Sequence, residues 1–389
     1  MVRYNKAEFC PTSGVRKFYL FAFILWIGIL LTPSVSLSGD VLNENETLDV
    51  KIGQMIMIGF RGLSVDDTSP VIADIQKRNI GGIILFDYDV PSESPVRNIE
   101  SPDQVKSLVR ALQRASSIPL FIAIDQEGGR VSRLKEQFGF PPTVSEGYLG
   151  KIDDLEVTKE YAEKTAETLS DLGINVNFAP VVDLNINPDN PVIGKIERSF
   201  SADPVAVIRH SMATIDIFHA HGILSAIKHF PGHGSSRADS HKGFVDVTES
   251  WSPDELKPFE AIIQSGKCDM VMTAHIFNAR LDPLWPATLS KRIIGKILRD
   301  DLKFGGVVVS DDMQMGAIRS FYGLEMAIKR SILAGCDILV FANNSIFDED
   351  IATRASGVIK KLVADGTIRS ERIDESYRRI MRLKKKLKR

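Results

Sequence analysis

The sequence predicts an α/β fold, a single (β/α)8 barrel of the TIM type over residues 47–389. Three observations predict it. Eight short β-rich runs alternate with longer helix-like stretches, most of those runs are continuously apolar, and polar side chains cluster where the runs end. Continuous apolar runs suit parallel strands covered by helices on both faces, because neither face meets water. Eight strand–helix units over about 340 residues fit a barrel of about 250 residues with insertions. A doubly wound open sheet is the competing arrangement of the same alternation.

The strand candidates, in order, are MIMIGF (55–60), GIILF (82–86), LFIAID (120–125), VNFAP (176–180), ILSAIKHF (223–230), DMVMTAH (269–275), GVVVSD (306–311) and DILVFA (337–342). Helix-like stretches between them include 102–116, 156–172, 204–221 and 253–265. Ser101-Pro102, Asp203-Pro204 and Ser252-Pro253 each place a cap residue before a proline at the first helical position. No repeat or low-complexity tract divides 47–389, so one catalytic domain is expected. In such a barrel Asp125, Asp183, His229, His275 and Asp311 fall at the ends of strands three to seven. All C-terminal strand ends share one face, and that face is where barrel active sites are built.

Composition narrows the function classes. The chain of 389 residues is 44% hydrophobic and 25% charged, which is the balance of a folded globular protein. A formal charge of −2 gives no electrostatic footprint for nucleic acid. Three cysteines cannot form a disulfide framework, and Cys268 and Cys336 are expected as free thiols. Residues 18–31, FYLFAFILWIGILL, follow Arg16 and Lys17 and precede a small-residue stretch. This is the layout of a secretory signal over residues 1–38, so export is expected. The run is short for a permanent span, which favours cleavage; an uncleaved anchor, tethering the protein to a membrane through 18–31, is the alternative. At the other end MRLKKKLKR (381–389) reads as the solvated end of a last helix. No motif speaks for an oligomeric state.

Three segments carry chemistry. KHFPGHGSSRADSH (228–241) holds His229, His233 and His241. Pro231 and Gly232 break the helical histidine spacing of a metal site, so no metal or other cofactor is expected. Asp239 stands two residues before His241, and a carboxylate bonded to an imidazole makes a proton shuttle near neutral pH. In VVVSDDMQMG (307–316), Asp311 is expected at the barrel mouth as a nucleophile toward an anomeric carbon, with Asp312 capping a helix from Met313 onward. IDQEGGRVSRL (124–134) lacks the phosphate-loop pattern. Its Asp125, Arg130 and Arg133 look like clamps for a hydroxyl-rich ligand, with Arg198 and Lys228 as further cations. Taken singly, each arginine reads as a surface salt-bridge partner.

Together, DQEGGRVSRL, NFAPVVDLN, IERSFSADP, KHFPGHGSSRADSH, VMTAH and GVVVSDDM resemble glycoside hydrolase family 3, in its single-domain NagZ-type β-N-acetylhexosaminidase branch. The resemblance runs from about residue 50 to 389. It implies Asp311 as nucleophile and His241 as acid/base with Asp239 as its dyad partner. It implies Asp125, Arg133, Arg198, Lys228 and His229 as contacts to a non-reducing N-acetylglucosamine. The expected activity is retaining release of terminal β-linked N-acetylhexosamine from muropeptides or chitooligosaccharides, through a covalent glycosyl-aspartate. The alternatives are a phosphorylase, because no second anionic acid accompanies Asp311, and a non-catalytic sugar-binding protein. The chain departs from the family pattern in its export signal and in a long loop, 87–101, after strand two.

Overall fold

A computed structural model describes residues 46–387. The expected signal or anchor at 1–38 lies outside them. Strands β1 (Ile56–Gly59), β2 (Gly82–Leu85), β3 (Phe121–Ile124), β4 (Val176–Asn177), β5 (Leu224–Phe230), β6 (Met270–Thr273), β7 (Val307–Asp312) and β8 (Ile338–Phe341) pair in sequence order. All pairs are parallel, and β8 returns to β1 to close the barrel, with Met57 opposite Val340. Seven of the eight apolar runs contain one of these strands, and β7 extends one residue past GVVVSD. The strands are buried throughout except at the end of β7, where Asp311 and Asp312 emerge. Strand β4 is shorter than VNFAP suggested, because Pro180 has no N–H to donate to the ladder.

The surrounding helices are α1 (Leu48–Gln54), α2 (Pro70–Arg78), α3 (Pro102–Ala115), α4 (Glu146–Ile152), α5 (Leu155–Leu172), α6 (Pro204–Ala220), α7 (Lys257–Gln264), α8 (Gly316–Ala334), α9 (Ile351–Ala364) and α10 (Ser370–Lys384). The expected caps form. Ser101 Oγ accepts from the Gln104 N–H at 3.3 Å, and Asp203 Oδ1 from that of Val205 at 3.0 Å. Ser252 caps the turn before α7, and Glu255 completes a capping box there. Inward-facing residues of strands and helices merge into one apolar core. Burying each of its large side chains contributes about 1.5–3 kcal/mol.

The two ends of the barrel differ. At the N-terminal end Lys384 is buried, donating to the Gln54 side chain at 2.7 Å and to the Gly81 carbonyl at 2.8 Å. Burial drives its pKa far below the usual lysine value. Lys386 pairs with Asp269 at 2.8 Å, and Leu383 and Leu387 are buried. The tail is therefore not simply solvated: its apolar and two of its basic residues close the barrel floor. Polar strand ends are left for the opposite face. Cys268 and Cys336 are free thiols, as expected. Among the described residues, no helix is long and apolar enough to cross a membrane.

Candidate active site

A cavity of about 500 Å³ opens at the C-terminal face, and Asp125, Arg133, Arg198, Lys228, His229, His241 and Asp311 all line it. The sequence thus named seven residues, from three strand ends and three loops, that the fold brings to one opening. The eighth, Asp239, lies behind His241. Arg130 does not join them. Gly128 and Gly129, at φ +104° and +57°, turn the backbone so that Arg130 is exposed. Gln126 then fixes the end of the loop, its Oε1 accepting from the N–H groups of Arg133 and Leu134 at 2.9 and 3.0 Å. Arg133 consequently faces the cavity, over the Phe86 ring, with Asp125 and Asp87 at 3.7 and 3.8 Å.

The cations are organised by a residue that sequence reasoning passed over. Glu127 is two positions after Asp125, and that alternation sends both carboxylates to one side of the extended chain. Lys228 sits between them, 2.7 Å from Asp125 and 2.5 Å from Glu127. Burial opposes its charge, yet the two carboxylates raise its pKa above the ordinary lysine value. Arg198 also binds Glu127, so it is a buried partner rather than the surface one a lone arginine suggests. Burial would raise the Glu127 carboxyl, but Arg198 and Lys228 hold it well below the usual range.

His229 is oriented from behind. Buried Asp183 accepts from its Nδ1 at 2.7 Å and from its backbone N–H at 3.1 Å. Arg198 Nη2 stands 3.3 Å from Nε2. A guanidinium can only donate, so Nε2 accepts and the ring proton lies on Nδ1. Asp183 was visible as a strand-end residue; its clamp on the next strand was not.

Asp311 and Asp312 separate cleanly. Burial would raise Asp311, but the imidazoles of His275, His229 and His241 hold it at about 2, with the Asp312 N–H donating to it at 2.8 Å. It is a carboxylate throughout the neutral range. Asp312 does not cap a helix at Met313: α8 begins at Gly316, and Met315 occupies its cap position. The Asp312 carboxylate instead accepts from the N–H groups of Gln314 and Ala342, both at 3.0 Å, tying the exits of β7 and β8 together. Between Asp312 and α8 the chain makes a turn, the Met315 N–H donating to the Asp312 carbonyl at 3.0 Å. Burial, despite those two donors, lifts its pKa to about 6, with the Asp311 charge adding to the rise. Behind the pair, His275 Nε2 donates to the Asp312 carbonyl at 2.9 Å.

His241 approaches from the loop after β5. Its Nδ1 lies 2.9 Å from Asp239 Oδ1, which also accepts the His241 backbone N–H. Crowding at the mouth disfavours its charged form, but the Asp239 hydrogen bond and the Asp311 charge raise its pKa above 6.5. The side chain is 58% exposed, so solvent tempers each influence. With Nδ1 engaged, Nε2 is the nitrogen that can exchange a proton. The cavity therefore holds an ionised carboxylate and a protonatable imidazole at one end of a polar clamp. That suits attack at an electrophilic carbon with protonation of a departing oxygen. Among the described residues, no group of three or more histidine, cysteine or acidic side chains could hold a metal ion.

A model of the glycosyl hydrolase family 3 N-terminal domain matches residues 47–383. Beta-hexosaminidase A of Pseudoalteromonas piscicida is 35% identical over 384 residues, covering 88% of this chain and 61% of its own. The beta-hexosaminidase of Tolumonas auensis is 35% identical over 74% of this chain and 83% of its own. Among solved structures, a glycoside hydrolase family 3 beta-N-acetylglucosaminidase from a Paenibacillus species superposes with a TM-score of 0.80 at 36% identity, over 88% of this chain and 62% of that one. The beta-N-acetylhexosaminidase of Beutenbergia cavernae superposes with a TM-score of 0.79 at 26% identity, over 88% of this chain and all of that one. The chain thus spans about three-fifths of the Pseudoalteromonas and Paenibacillus proteins.

Proposed function

The chain belongs to glycosyl hydrolase family 3, and we propose that it acts as a retaining exo-β-N-acetylglucosaminidase. The observation that carries this reading is the opposite proton preference of two groups on one cavity. Asp311 is held ionised at about 2, and His241 is raised by its Asp239 partner. Asp311 attacks the anomeric carbon while His241 protonates the leaving oxygen; neutral His241 then activates water against the glycosyl-aspartate. Using an imidazole keeps a second carboxylate away from Asp311, whose charge would otherwise be disfavoured. Asp125, Arg133, Arg198, Lys228 and His229 bind the terminal sugar through its hydroxyls, with Glu127 fixing the two inner cations.

The substrates we propose are muropeptides or chitooligosaccharides ending in β-linked N-acetylglucosamine. The apolar run at 18–31 supports export of the barrel to meet them. The deciding experiment follows hydrolysis of an aryl N-acetyl-β-glucosaminide by NMR. The β-anomer of free N-acetylglucosamine should appear first. Initial α-anomer, or a β-glucoside hydrolysed in preference, would overturn the reading. Turnover that requires phosphate would replace it with a phosphorylase.

A further inference from the structure

We infer that Phe321 is a positioning residue, acting through Phe244 and the start of α8 to hold His241 at the cavity mouth. The inference rests on the acid/base role proposed for His241.

The loop that carries His241 is built in two halves. Its base, 231–236, is secured from beneath. Asp183 accepts from the His233 N–H at 2.7 Å, Glu255 from the Gly234 N–H at 2.9 Å, and Asn190 donates to the His233 carbonyl at 2.8 Å. The half that bears the dyad is tied to this base through buried Ser240, whose Oγ lies 3.3 Å from His233 Nε2. His241 and Lys242 are exposed, and a side chain that must meet a leaving group to within a fraction of an ångström stands on them.

This half is also held by the start of α8. The first N–H groups of a helix have no partners inside it, and Met315 at the cap position supplies no side-chain acceptor. The loop supplies them instead. Gly316 N donates to the His241 carbonyl and Ala317 N to that of Ser240, each at 3.2 Å. A side chain at 316 would not permit this approach, because its Cβ would lie 2.8 Å from the His241 oxygen.

A second hold lies further along the same helix. The Phe321 ring is 5.7 Å from that of Phe244, three residues after His241, and Phe244 also meets Phe277 at 5.4 Å. Phe244 is 42% exposed and Phe321 57%, so neither ring is there to fill the core. The hydrogen bonds grip residues 240 and 241 and the rings grip residue 244. Beyond Phe244 the chain is anchored at buried Val245, whose carbonyl accepts from the Phe277 N–H at 2.8 Å. Removing the Phe321 ring takes away one of the two aromatic supports of Phe244 and loosens the stretch between that anchor and His241.

The test uses the full chain, two substrates and a double-mutant cycle. N,N′-diacetylchitobiose has a poor leaving group and needs the proton; 2,4-dinitrophenyl N-acetyl-β-glucosaminide does not. Phe321→Ala should lower kcat on chitobiose about 10–100-fold with KM little changed. The rate of the dinitrophenolate burst should stay at the wild-type value, and Phe321→Leu should recover most of the loss. In a His241→Ala background Phe321→Ala should cost nothing further, because its effect passes through that imidazole. Thermal melting checks that the variants are folded. Undiminished chitobiose turnover in Phe321→Ala overturns the proposal. So does a chitobiose loss that persists in the His241→Ala background, which would mean that Phe321 touches the second sugar. So does an equal loss in the glycosylation step of both substrates. If His241→Ala itself slows glycosylation equally for both, the acid/base role falls, and this proposal with it.

Discussion

Glu127 meets Arg198 in a two-point grip, Oε2 accepting from Nε at 2.7 Å and Oε1 from Nη2 at 2.8 Å. The same carboxylate reaches Lys228 at 2.5 Å. One buried anion thus arranges two cations that face the cavity, and its loss would leave Arg198 buried without this carboxylate partner. The polar half of the site depends on Glu127, which lines the cavity beside the cations it arranges.

Glu127→Gln keeps the shape and removes the charge. Breaking a buried ion pair from one side typically costs about 3–5 kcal/mol. Folded Glu127 has a pKa below its ordinary 4.5, so the stability it contributes is full above that pH and is lost as the pH falls. Urea melts should show the variant weakened at neutral pH, with the gap to wild type narrowing in acid. A weaker KM for an aryl N-acetyl-β-glucosaminide should accompany the loss. An unchanged gap across pH would mean that packing, rather than charge, is at stake.

Asp311→Asn should lower turnover by several orders of magnitude while competitive binding of N-acetylglucosamine is largely kept. Asp312→Asn should cost mainly stability, since Asp312 ties the ends of β7 and β8. If Asp312→Asn proves inactive while Asp311→Asn works, the roles of the two carboxylates are exchanged.

His241→Ala should slow glycosylation by about 10²–10⁴-fold for a disaccharide and little for a dinitrophenyl glycoside. The glycosyl-enzyme should then accumulate, visible as a dinitrophenolate burst. Azide, which needs no deprotonation, should restore turnover and yield the β-glycosyl azide. Without burst or rescue, His241 is a binding residue.

The alkaline limb of the pH profile belongs to the same imidazole. For a disaccharide, kcat/KM requires His241 protonated, so it should fall as the pH rises through a pKa above 6.5. Asp239→Asn removes the carboxylate charge that helps raise that pKa, and the limb should move to lower pH. A limb that stays in place would detach the profile from this dyad.

Much of this was legible in the chain because burial leaves a mark on sequence. Strands covered on both faces must be apolar throughout, so GIILF and GVVVSD announce themselves, and the polar residues that close runs such as LFIAID and GVVVSD announce the rim. The gathering of Asp125, His229 and Asp311 at one opening could be read for that reason. Side chains that act on other side chains leave no such mark. Glu127 reads like any loop acid until Lys228 and Arg198 close on it from β5 and the segment after β4. The choice between Arg130 and Arg133 turns on the φ angles of Gly128 and Gly129. Lys384, among the basic residues of the tail, gives no hint that it is the one drawn inside.

The closed floor beneath the strands also governs traffic. With Lys384 plugging the barrel's N-terminal end and Phe178, Met272 and Val340 lining the cavity, the pocket is a cul-de-sac with one doorway. If the proposed reaction takes place here, the outer part of the substrate would depart first, since it would stand nearest the doorway. A terminal sugar held against Asp125 and Lys228 would leave last, by the way it came. The next chain end would have to wait for that exit, so product and substrate would contend for a single berth.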